Sequence, residues 1–174
     1  MSTAAPGQLP ATISAPDVLA FTNLFGLTDS PVLLDYQDEG YGPDWCHVSA
    51  KHHARLHGGS RVHGWALWQY DGMILADFHS VWDDGEKLID VTPPKFGAKQ
   101  VMFVRDRTAE IYQIEEVIVF QTNRSSLQTA PFWWNGEPTT EQVWGLPRNT
   151  PALLTYCEGL GFPLDSIETE PGIG

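Results

Sequence analysis

Two Asp-Gly pairs, Asp71-Gly72 and Asp84-Gly85, divide one stretch of the chain into three strand-like runs, Arg61 to Gln69, Met73 to Trp82 and Glu86 to Val91. Asp-Gly suits the two central positions of a type I′ turn, where both residues need positive φ, so the spacing predicts an antiparallel meander. Such turns also set register. With Asp84 and Gly85 central, Asp83 faces Glu86, and counting back along both strands puts His79 opposite Asp90, with Cβ atoms roughly 4.5–5.5 Å apart. The same count about the first turn puts His79 opposite Gly64, where the missing side chain leaves room for a group to approach the imidazole.

Upstream of the meander, Asp44 has the side chain of an N-cap and Gly58-Gly59 supplies residues that tolerate positive φ, so a helix is expected from Trp45 to His57. Cys46 then lies in its first turn. Unpaired backbone N–H groups and the positive end of the helix dipole favour an anion there, which lowers a thiol's pKa and creates a nucleophile. The polar, glycine-rich segment Asp38 to Pro43 delivers the chain to this point, and loops of that kind often wall an active site.

The remaining elements predict one α+β domain over residues 14–164, between a mobile arm at 1–13 and a loose polar tail at 165–174. Ser14 and Pro16 open a packing helix through Val18, Leu19, Phe21, Leu24 and Phe25, which Gly26 ends. Pro31 to Gln37 reads as a strand or extended lead-in. Val101 to Val104 and the β-branched run Ile111 to Thr122 are expected to bring the antiparallel sheet to about five strands, packed against the helix that carries Cys46. Ser125 to Asn149 is loop-like and aromatic, and Thr150-Pro151 starts a short helix through Cys157.

With 174 residues, 42% of them hydrophobic, the chain suits a single core. Ten Lys+Arg against twenty-two Asp+Glu give a formal net charge of −12, which argues against nucleic acid, since phosphate binding needs clustered basic residues. The first sixteen residues show no basic segment followed by an apolar one, and no apolar run approaches the roughly 20 residues that cross a bilayer. A cytoplasmic protein without a membrane partner is the expectation. The two cysteines, Cys46 and Cys157, read as free thiols, Cys157 as a buried hydrophobe in an apolar helix stripe. No cofactor is implied.

A cysteine at a helix start, a histidine on one strand and an aspartate on the next meet the needs of thiol catalysis: a deprotonated sulfur, a base and an orienting carboxylate. Cys46, then Phe78-His79-Ser80-Val81, then Leu88-Ile89-Asp90-Val91-Thr92-Pro93, resembles the Cys–His–Asp pattern of transglutaminase-like proteins in the papain-like superfamily. The resemblance implies acyl chemistry on an amide or ester, with Cys46 as nucleophile, His79 as general base and Asp90 orienting it. Gln37 is a candidate oxyanion donor beside the Cys46 backbone N–H, and Asp77, on the same face of its strand as His79, is an alternative orienting carboxylate. Trp133 and Trp134 are candidates for lining the groove that holds an apolar part of a small-molecule or protein substrate, while Trp45 and Trp65 read as packing residues.

Three other readings compete. An N-acyltransferase would use the same triad. A binding module would use the aromatic segment from Phe132 to Trp144 as a recognition surface. His53 and His57, four apart on the cysteine helix, could hold a metal, although Ala54, Arg55 and Leu56 between them offer no base and a solvated helix face explains them more simply. The oligomeric state is not legible.

Overall fold

The computed structural model describes residues 7–70, 73–121, 132–133 and 143–162. The first six residues of the expected arm, the Asp71-Gly72 turn itself, Trp134 and the tail at 165–174 lie outside the described residues. The elements run α1 (Pro16–Leu24), β1 (Val32–Asp35), α2 (Cys46–His57), β2 (Ser60–Tyr70), β3 (Met73–Asp83), β4 (Leu88–Ile89), β5 (Gln100–Arg105), β6 (Glu110–Ile114), β7 (Val117–Gln121), β8 (Phe132–Trp133), β9 (Val143–Pro147) and α3 (Pro151–Leu160).

The fold is mixed α and β around an antiparallel five-strand sheet in the order β1-β5-β2-β3-β4, with β8 added in parallel beside β3. Both faces of β2 are buried from Arg61 to Trp68, which explains the nearly continuous apolar reading of Trp65-Ala66-Leu67-Trp68. Trp65 and Leu67 join Val18, Phe21, Val48, Phe78, Leu153 and Cys157 in a core beneath the helices. Ala66 and Trp68 point the other way, into a second core with Leu34, Val62, Val81, Val101 and Phe103. The two sheet edges then meet. Asp90 donates its N–H to Asp35 O at 3.2 Å and accepts from Gln37 N–H at 2.9 Å, so the sheet curls almost into a barrel.

Three expectations are corrected here. The fifth strand of the main sheet is β1 and not the Ile111 run, which turns back at Glu115, φ 51°, and supplies β6 and β7 of a separate three-stranded sheet completed by β9. Asp44 does not cap α2: its own φ is 71°, Trp45 takes the cap position, and no side chain caps the helix. The second hairpin is wider than Asp84-Gly85 alone would make it, because Asp83 pairs with Leu88. The Asp84 carboxylate accepts the N–H groups of Glu86 and Lys87, each at 2.8 Å, which stabilises a four-residue connection in place of the two-residue turn. Extended along β3, that ladder sets Thr92, and not Asp90, opposite His79.

The first hairpin follows the predicted register, with Tyr70 facing Met73 and Gly64 facing His79. The space at Gly64 is nonetheless filled. A Cβ there would lie 2.2 Å from Val104 O and 2.6 Å from the Phe103 ring, so the glycine lets β5 cross close to β2.

Gly59 sets how α2 sits on the sheet. Its φ is 79°, and a Cβ would lie 2.0 Å from Asp83 O. Gly59→Ala is therefore expected to cost more than about 1 kcal/mol, read from the denaturant midpoint. An unchanged midpoint would contradict this account of the junction.

Candidate active site

The start of α2, the middle of β3 and the end of β4 converge on one cavity of about 160 Å³. Cys46, the first residue of α2, is buried, and at that position its backbone N–H has no partner four residues back in the helix. His79 Nε2 lies 3.0 Å from Asp90 Oδ2, which leaves Nδ1 as the ring nitrogen that can face the thiol. Asp90 is fully buried. Its other carboxylate oxygen accepts the Thr92 N–H at 3.0 Å, and its backbone is held by Asp35 and Gln37, so the carboxylate is fixed from three sides. The aspartate thus reaches His79 from the seam that closes the sheet, not as a cross-strand neighbour.

The electrostatics of Cys46 and His79 agree with this geometry. Burial pushes the Cys46 thiol up, but the charges of His47 and His79 and hydrogen bonds from both rings outweigh it and hold the thiol well below the ordinary range. Burial pushes the His79 imidazole down, but Asp90 and Cys46 outweigh it and hold the imidazolium well above its ordinary value. Shifts of opposite sign in contacting groups describe a thiolate–imidazolium pair, the reactive form of a cysteine nucleophile. The Cys157 thiol, raised by burial, has the opposite character.

Other residues singled out in the sequence are placed differently. Gln37 is exposed, its side-chain amide donates to Glu39, and it is not among the cavity-lining residues; its backbone N–H anchors Asp90. Asp77 lines the cavity but pairs with Lys95 Nζ at 2.7 Å and does not orient His79. Trp133 lies on β8, paired through its backbone with Leu75, and its side chain is outside the described residues. Among the described residues, the aromatic lining of the cavity comes from Trp68 and Phe78. Trp65 packs as expected, its Nε1–H donating to Asp106 Oδ2 at 3.1 Å, and Trp45 stacks on Tyr156 with centroids 5.6 Å apart. The His53 and His57 rings are 4.3 Å apart, with His53 Nδ1 3.4 Å from Tyr41 OH. Among the described residues no third ligand completes a metal-binding group there.

A polar cluster beside the thiol escaped the sequence reading. Ser80 Oγ sits 2.6 Å from His47 Nδ1 and 2.7 Å from His63 Nδ1. Burial, followed by the charges of Arg61, His47, Lys51 and Arg105, holds His63 well below its ordinary pKa, so it is neutral. A hydroxyl has one proton to donate, so one imidazole accepts from Ser80 while the other donates to it. Its His63–Ser80 part was within reach, because the register that pairs Gly64 with His79 pairs His63 with Ser80. Ser80→Ala is expected to cost about 1–3 kcal/mol and to loosen His47, raising the pH at which Cys46 is alkylated. Unchanged stability together with an unchanged alkylation profile would contradict a role for the hydroxyl bridge.

No family model, curated protein or solved structure matches the chain. The functional reading therefore stands on the geometry of these side chains.

Proposed function

We propose that this protein carries out thiol-dependent acyl chemistry on an amide-type substrate, as an amidase, deamidase, peptidase or transglutaminase-like enzyme. The observation that carries the reading is the convergence of Cys46 at a helix start, His79 and the buried Asp90 on one cavity. The Cys46 thiolate attacks the carbonyl carbon, and the helix-start N–H groups stabilise the oxyanion. The His79 imidazolium protonates the departing amine, leaving a thioester. His79 then takes a proton from water, or from an acceptor amine, as that nucleophile attacks the thioester; Asp90 keeps the ring oriented throughout. The packing of α2 against β2 and β3 supports the finer likeness to papain-like enzymes, in which the nucleophile's helix lies on an antiparallel sheet.

The test is acylation by p-nitrophenyl acetate followed by peptide mass spectrometry. An acetyl group on Cys46 that is absent in His79→Ala supports the reading, whereas acetylation of Cys157 alone, or of neither cysteine, contradicts it.

A further inference from the structure

The cavity beside Cys46 is lined by the apolar side chains of Ala66, Trp68 and Val101 and, besides His79 with Asp90, by a second ion pair, Asp77 with Lys95. Asp77 is almost buried, while the Lys95 side chain is 44% exposed, so the pair marks the passage from cavity to solvent. Neither residue is used by the triad. An ion pair at the mouth of a small cavity presents a carboxylate and an ammonium side by side. A group that complements both must itself carry an ammonium and a carboxylate next to each other. Asp44, exposed at the same rim, adds a negative charge that favours the ammonium.

Size and spacing narrow the class. A cavity of about 160 Å³ resembles in size an engineered apolar cavity of roughly 150 Å³ that accommodates benzene, six heavy atoms. It can take a short side chain but not a whole large substrate. Asp77 and His79 lie on one face of β3, two residues and thus roughly 6.6 Å apart, so the reacting amide and the head group need a spacer of about two carbons.

We propose, resting on the thiol reading above, that the substrate is a free α-amino acid carrying a side-chain amide, of glutamine length. Its α-ammonium meets Asp77, its α-carboxylate meets Lys95, its two methylenes cross Trp68, and its amide carbon lies against Cys46. The thiolate adds to that carbon, the C–N bond breaks, and the nitrogen leaves as ammonia with the proton supplied by His79. Water then gives a proton back to His79 and its oxygen to the thioester carbon, which releases glutamate and the thiolate. No oxidant, reductant or further reactant is needed.

The experiment measures ammonia release by the full chain from free L-glutamine, L-asparagine and N-acetyl-L-glutaminamide, with p-nitrophenyl acetate as a probe of the thiol itself. Free glutamine is expected to exceed both other amides in kcat/KM by at least tenfold. Lys95→Gln is expected to raise KM for glutamine about tenfold with a smaller change in kcat, and to reduce ester acylation by a clearly smaller factor. Acylation of Cys46 by the ester, with the blocked amide equal to or better than free glutamine or with no ammonia from any amide, overturns this inference and leaves the thiol reading standing. Absence of acylation at Cys46 overturns both.

Discussion

Cys46→Ala is expected to abolish acyl chemistry while leaving the thermal midpoint nearly unchanged. Without the sulfur no thioester forms, and members of a catalytic triad commonly contribute about a thousandfold or more in kcat. Cys46 is buried, but it is not part of the apolar cluster that Val48 of α2 joins, so its truncation leaves that packing in place. Cys46→Ser should be as inactive, since the site is arranged for a thiolate and the hydroxyl oxygen does not ionise in its place. His79→Ala should match the loss and also raise the pH at which Cys46 is alkylated, because one of the two imidazoles that hold the thiol down is gone. Steady-state kinetics beside calorimetry checks these outcomes, and full activity in Cys46→Ala would end the thiol account.

Asp90→Ala should combine inactivation with a large loss of stability. The carboxylate is fully buried, accepts from Thr92 N–H, and faces an imidazolium that is itself almost enclosed. Removing one partner of a buried pair leaves the other charge uncompensated and costs roughly 3–5 kcal/mol. Asp90→Asn separates the two effects, since its side-chain oxygen can still accept from Thr92 while the negative charge is lost. That variant should fold with a modest loss of stability and retain partial activity, because the nucleophile and base remain. Denaturant unfolding and kcat/KM for both variants check this. Equal stability of Asp90→Ala and the wild-type chain would show that Asp90 holds no charge in place.

The signs of the two pKa shifts also set a pH profile. With the thiol lowered and the imidazole raised, the reactive ion pair exists between the two macroscopic titrations of the coupled site. On the acid side the thiolate is protonated and acylation stops. On the alkaline side the imidazolium loses the proton it must give to the leaving amine. The kcat/KM profile should accordingly be bell-shaped, and a purely rising curve controlled by an ordinary thiol would disagree.

How much of this was legible in the sequence depended on whether a local rule decided the structure. The β2–β3 hairpin followed from a two-residue turn between long alternating runs, because both strands are paired over eleven residues and a slip would turn every side chain to the wrong face. The same rule misjudged Asp84-Gly85. There the side chain of Asp84 competes for the backbone N–H groups and widens the loop, and only two residues of β4 are paired to resist it. His79 and Asp90 still meet, but through the closure of β4 onto β1, a long-range contact with no local signature. Gln37 was singled out by its position upstream of the cysteine, yet nothing local to it foretold that its backbone, and not its amide, would serve Asp90. The His63–Ser80 pair follows from the β2–β3 register alone, whereas His47 joins it from α2, a helix-to-sheet contact with no local signature.

Alkylation of the folded protein by iodoacetamide across pH, with Cys46 and Cys157 quantified separately, tests the central claim most directly. Cys46 should react at pH values well below those at which an ordinary thiol does, as a thiolate paired with imidazolium does, and its profile should move to higher pH in His79→Ala. Cys157, buried in the core with its thiol raised, should react only at alkaline pH or after unfolding. Two cysteines titrating together near the ordinary thiol value, or a Cys46 that is inert until the protein unfolds, would contradict the account.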